Sequence, residues 1–285
     1  MIPGLAISLG LALLVSEPSP APAQAAAKPA EAPIPDIPTL MTQVQAHQRE
    51  LDKVRENYTF REVQQTDDLD SSGQVKKSES EESEIFFVNG HHIERLVKKN
   101  GKDLSADEQK KEQERVVKEV NKAIKLDPNK SLHEGEEISV SRILAIMKVS
   151  NPRRISLNGR DTIAFDFIGD PHAQTHGLAE DASKKMAGTV WVDEKDREVA
   201  KLTVHFDDNF HVGGGLLANI QAGSSFQFEQ AKINNEVWLP TGGEAHLQAR
   251  VLLVKGFREN MRFHDSDFQR FHTEASQQAG VTIHD

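Results

Sequence analysis

Cysteine is absent from the 285-residue chain. That excludes disulfides, thiolate zinc sites, a cysteine nucleophile and the lipidated cysteine of a bacterial lipoprotein. An oxidising compartment stays open, because exported chains often dispense with the residue. A basic excess is lacking too: 34 Lys and Arg stand against 44 Asp and Glu, a formal charge of −10 that argues against a nucleic-acid partner. Short basic clusters such as Lys98, Lys99 and Lys102 are interleaved with acidic residues and read as a solvated mixed-charge surface. Equally missing are a Gly-x-Ser-x-Gly elbow, a Walker loop, a dinucleotide fingerprint and a helical zinc-protease motif. The triple glycine Gly213, Gly214 and Gly215 has no Lys-Ser/Thr after it and reads as a crossing between strands. No catalytic residue, metal ligand or cofactor is therefore assigned, and the chain is read as a non-enzyme.

No apolar run reaches the ~20 residues that span a bilayer. Leu5 to Val15 has instead the length of a signal-peptide core, and Ala21-Pro22-Ala23 or Ala23-Gln24-Ala25 offers a cleavage pattern. A signal peptide is expected over residues 1–27 and a periplasmic location with it; the alternative is a membrane anchor made by an unusually short helix, which leaves the same domain outside the membrane. Residues 28–38 continue a Pro- and Ala-rich tether, since proline at that density blocks helices and ladders. One folded domain is expected over 39–273, with a polar tail over 274–285.

Gly188 to Phe271 is the most informative stretch. Ala200, Leu202, Val204 and Phe206 alternate with polar neighbours, as do Ala245, Leu247, Ala249 and Val251, and Phe226 and Phe228 flank Gln227. That period of two predicts antiparallel strands with one apolar face, which needs a cover. Asn89-Gly90 and Asn158-Gly159 predict two-residue hairpins. Thr39 is read as the cap of a first amphipathic helix, and Ser105 with Glu108 as the capping box of a second ending near Leu126. A third, nearly all apolar, is expected over Ser139 to Val149 and fits either the core or a lid across a cavity. Asp170 to Ala187 is read as a polar loop.

Two spacings could hold a metal. Asp68, Asp70, Ser72, Gly73 and Glu79 follow part of the calcium-loop spacing, without the flanking helices; hairpin-turn chemistry explains the same residues. His172 and His176 have ligand spacing but sit between Gly-Asp-Pro and Gly in what reads as a loop.

Four local patterns carry a resemblance: Tyr58 to Glu62 opening a strand, Leu96 to Leu104 as strand, Asn-Gly-Lys turn and helix start, Gly188 to Asp193 with Trp191, and Trp238-Leu239-Pro240 before the closing strands. Together with the export signal and first helix, they resemble the LolA/LolB-like lipoprotein-localisation superfamily over Thr39 to Phe271. The resemblance implies an α+β fold, a curved antiparallel sheet forming an unclosed β-barrel, or half-barrel, with helices covering its concave face. It also implies a carrier that holds lipid or lipoprotein acyl chains. Phe165, Phe167, Trp191, Phe226, Phe228 and Trp238 are then candidates for the sheet side of the cavity, and Ile143, Leu144 and Met147 for its lid; each fits an ordinary core as well. Two features depart from the family: the absent cysteine excludes an anchored LolB-like receptor, and the Ile85–Val97 hairpin lacks the carriers' Arg-Pro motif. The alternatives are an RseB-like envelope sensor, which would bind a membrane-associated partner protein, and a divalent-metal-dependent hydrolase using Asp68 or His172.

Overall fold

The computed structural model describes residues 33–127, 146–212, 218–251 and 255–270. Helix α1 (Ile37–Arg55) starts one turn earlier than the sequence suggests, because Asp36 is its cap: its carboxylate accepts the Thr39 backbone N–H at 3.0 Å. Strands β1 (Tyr58–Leu69), β2 (Val75–Val88), β3 (His91–Lys99) and the two-residue β4 (Lys102–Asp103) follow. Helix α2 (Ala106–Lys125) carries the expected capping box, Ser105 and Glu108 each bonding the other's backbone N–H. Next come β5 (Met147–Leu157), β6 (Arg160–Gly169) and α3 (Gly177–Ser183). The chain continues through β7 (Met186–Asp193), β8 (Val199–Phe206), β9 (Phe210–Val212), β10 (Ala218–Ile220), β11 (Ser225–Ile233), β12 (Val237–Val251) and β13 (Lys255–Arg270).

All thirteen strands belong to one sheet whose main path is β4-β3-β2-β1-β13-β12-β11-β8-β7-β6-β5, every ladder antiparallel, with β9 and β10 attached beside β12. The α+β class and the antiparallel sheet agree with the sequence reading. The half-barrel does not. The path is open, and the sheet is neither closed into a barrel nor strongly curled. Both ends resist further pairing: β4 is only two residues long, and β5 is bulged between Ser150 and Arg153 around Pro152. Nor do the helices share one face: Val54 of α1 packs with Phe60 and Ile85, while α2 packs on Ile93 and its partner Phe86, which points to the other side of β2 from Ile85.

Two further expectations change. Residues 147–149 of the anticipated apolar helix are the start of β5, and the Asn151-Pro152 pair marks the β5 bulge, Asn151 taking φ 56°. Ile146 is a buried turn residue before the strand, and 139–145 lie outside the described residues. The 170–187 segment contains α3 and the start of β7 where a loop was expected. Both Asn-Gly hairpins form as read, with φ 51° and 78° at Asn89 and Gly90 and 51° and 76° at Asn158 and Gly159.

The largest core lies between α1 and strands β5 to β8. Ile37, Leu40, Met41 and Val44 pack on Ile163, Phe165, Phe167, Val190 and Val192. Farther along α1, Leu51 meets Ala200 and Trp238, and Val54 meets the cluster of Tyr58, Phe60, Ile85, Val237 and Leu239. The apolar stripe of α2, Val116, Val120 and Ala123, closes over Ile93.

Candidate functional site

Cross-strand partners share a face of the sheet, so the register traces a surface. Phe167 pairs with Gly188, Gly188 with Val204, Val204 with Phe226, Phe226 with Ala245 and Ala245 with Met261. One row over, Phe165, Val190, Leu202, Phe228, Gly243 and Phe263 form a parallel line. At one end these rows are the α1 core. Past Leu202 and Val204 burial is incomplete: Phe228, Met261 and Phe263 are half-buried and Phe226 is 40% exposed. Phe226 and Phe228 lie 6.5 Å apart with their planes 15° from parallel. The face is therefore continuously apolar, but α1 buries only part of it.

Two glycines flatten this surface. A Cβ on Gly188 would stand 2.6 Å from Cζ of Phe167 and 1.9 Å from the Thr203 carbonyl oxygen. One on Gly243 would stand 2.5 Å from both the Phe263 ring and the Gln227 carbonyl oxygen. Both rings thus lie across the neighbouring strand, where any side chain would push them off.

The chemistry changes where the rows reach β1 and β2. Phe263 pairs with Gln64 and Met261 with Thr66, and these line a polar depression of about 210 Å³ together with Glu79, Ser80, Glu81, Lys99 and Asn100. Beside it lie the carboxyls of Glu62 and Asp265, cross-strand partners on β1 and β13.

The nine residues named from the sequence do not form one site. Phe165, Phe167, Phe226 and Phe228 share the apolar face, the first two fully in the core and the second two at its open part. Met147 belongs to the same core from β5, as a strand residue and not from a lid helix. Trp191 stands on the opposite face: it alternates with the buried Val190 and Val192, pairs with Lys201 and Ala164, and has the Lys201 ammonium 5.8 Å from its ring. Trp238 is buried against Leu51 of α1, its Nε1 donating to Asp196 at 3.0 Å and the Arg160 guanidinium 5.2 Å from its ring. Ile143 and Leu144 lie outside the described residues. Sequence reasoning missed Leu202, Val204, Met261 and Phe263 as neighbours of Phe226 and Phe228. Their alternation was visible, but the register that aligns them was not.

Neither metal spacing assembles ligands. Asp70 Oδ1 accepts from the Ser72 backbone, the Ser72 hydroxyl and the Gln74 backbone, which is a turn built on its own aspartate. His172 and His176 belong to the segment leading into α3, not to one helix. Among the described residues no three His, Cys, Asp or Glu side chains are placed to share a metal ion.

No family model and no curated protein matches the chain. Among solved structures it is similar to a LolA superfamily protein from Nitrosomonas europaea, at 11% identity over 82% of this chain and 96% of that one, with a TM-score of 0.32. It is also similar to a domain described as an outer membrane lipoprotein-sorting protein from Vibrio parahaemolyticus, at 10% identity over 84% and 97%, TM-score 0.35. A DUF1329 family protein from Desulfovibrio piger matches at 9% identity over 83% and 95%, TM-score 0.33. At this distance the function has to be argued from the sheet itself.

Proposed function

We propose that this protein is an exported, periplasmic carrier that holds acyl chains of a lipid or lipoprotein against the open apolar part of its sheet, and is not an enzyme. One observation carries the reading. Leu202, Val204, Phe226, Phe228, Met261 and Phe263 make a continuous half-buried apolar surface, joined to the core at one end and bordered by polar groups at the other. Acyl chains need area and not directed chemistry. At ~0.8 kcal/mol per buried methylene, about ten methylenes contribute ~8 kcal/mol gross, the scale of a micromolar Kd before the cost of ordering the chain is subtracted. The polar border suits an amphiphile, whose head would lie toward Gln64, Thr66 and Lys99 while its tail follows the phenylalanines.

The test is native mass spectrometry of protein taken gently from a periplasmic extract, with identification of whatever is released. A lipid or acylated peptide that Phe228→Asp protein no longer carries supports the reading. Wild-type protein that emerges bare, and that binds no acyl-chain probe, rejects it.

A further inference from the structure

We propose that Glu62 and Asp265 form a proton-operated clamp between β1 and β13, closed by one proton shared between the two carboxyls and released when that proton leaves. The two residues are direct cross-strand partners. Asp265 is only 3% exposed, and both its carboxylate oxygens are buried without a donor from any other described residue. Ionised, the two carboxylates would repel across the ladder, with the desolvation of Asp265 uncompensated. A single proton removes both costs, letting one carboxyl donate to the other.

Among the described residues, the surroundings supply no other partner. From β2, Ser83 faces Glu62, but its hydroxyl donates to Glu94 of β3 at 2.7 Å. Glu94 is a third carboxylate, and its charge adds to the preference of Glu62 for a proton. From α2, Arg115 bonds the Glu94 carbonyl, but its guanidinium is held by Glu112 and Glu119. From β12, Thr241 and Gly242 bring no charge. Flanking Glu62 and Asp265 along their own strands on this face are Phe60, Gln64 and Phe263, also uncharged. Burial first, then the Glu62 charge, pushes Asp265 up to about 7. Burial likewise raises Glu62.

The position gives the proton leverage. Among the described residues, the β1–β13 ladder is the only one joining β2, β3, β4 and α2 to the rest of the sheet, since β1 pairs only with β2 and β13. It is already irregular beside the pair, with a register shift between Thr59 and Arg61 and Asp267 at φ 55°. Charging both carboxyls therefore weakens this joint where the backbone ladder is least regular.

Linkage fixes the sign. Unfolded carboxyls ionise near pH ~4, while the folded pair keeps its proton to about 7, so the folded state binds more protons across that window. Stability should fall as pH rises through the window and level off above it.

The experiment measures thermal midpoints of wild type, Asp265→Asn and Glu62→Gln from about pH 4 to about pH 9. An amide in either position donates permanently to the remaining carboxylate. Each variant should lose the fall seen in wild type and exceed the wild-type midpoint above neutrality. A wild-type-minus-variant difference that stays constant across the range would overturn the clamp. In parallel, the carboxyl carbon of Asp265 is followed by NMR in wild-type protein, which needs no variant to fold. Titration near neutrality supports the proposal, and titration in the ordinary aspartate range rejects it.

Discussion

The Phe167 ring occupies the space that a side chain on residue 188 would need, its Cζ 2.6 Å from where a Cβ on Gly188 would stand. Phe263 lies over Gly243 in the same way on the far side of the apolar rows. Gly188→Ala must displace either a buried ring or the β8 backbone, whose Thr203 oxygen is nearer still. It should cost about 1–3 kcal/mol, the usual range for overpacking, read as a lower denaturant midpoint. Gly243→Ala meets the half-buried Phe263, so its effect should be smaller in stability and larger in acyl-chain binding. Equal stability losses for the two would show that both rings are equally fixed.

The capping box is a separate, local case. Ser105→Ala removes the side-chain acceptor of the Glu108 N–H and the cap of the helix that covers Ile93. A loss of about 1 kcal/mol is expected in chemical denaturation. Acyl-chain occupancy should not change, because α2 packs on β3 and β2 and not on the phenylalanine rows.

These two cases mark what was readable in the sequence. Ser105 with Glu108, and the Asn89-Gly90 and Asn158-Gly159 turns, are decided within a few residues and formed as read. Asn151-Pro152 reads locally as the stop of the helix expected over Ser139 to Val149, but a bulge in β5 uses the same residues, and only the partner strand β6 distinguishes the two. The face of Trp191 was ambiguous for a different reason. Apolar side chains occupy Val190, Trp191 and Val192 in succession, so alternation alone does not say which points to the core; pairing with Phe165 settles Val190 and leaves Trp191 with Lys201. Glu62 and Asp265 had no local signal at all, because they meet only through the ladder between the first strand and the last. The half-barrel came from the resemblance and not from the residues, whose alternation specifies strands and faces but not how far the sheet curls.

Acid should act through the opposite kind of carboxylate. Burial alone would raise Asp196, but hydrogen bonds from Lys232 and Trp238, with the Lys232 and Arg160 charges, outweigh it and hold the group below the usual aspartate range. Asp166 is lowered too, chiefly by Arg153. Such groups stabilise the fold above the unfolded carboxylate pKa, and that contribution disappears as pH falls through their folded values. Asp196→Asn should therefore cost about 2 kcal/mol at neutral pH and show a shallower acid limb, its unfolding curve converging on wild type as pH falls through the lowered folded value of Asp196. Parallel curves at all pH values would mean that Asp196 acts through shape and not charge.

The register also separates Trp191 from the site by a test of faces. Trp191 and Lys201 lie across the sheet from Phe226 and Phe228, so a bound acyl chain on the phenylalanine face does not touch them. Trp191→Phe removes an amphipathic ring stacked under an ammonium and should lower stability by about 1 kcal/mol or less, leaving acyl-probe affinity unchanged. Phe228→Asp places a carboxylate in the middle of the apolar row beside Leu202 and Gly243. It should reduce affinity at least tenfold, since desolvating an unpaired charge costs more than the ~1.4 kcal/mol that a factor of ten represents. Measured side by side with a fluorescent fatty acid, the two variants distinguish the faces directly. If Trp191→Phe instead lost the affinity and Phe228→Asp kept it, acyl chains would be bound on the polar side of the sheet, and the carrier reading of the phenylalanine rows would have to be abandoned.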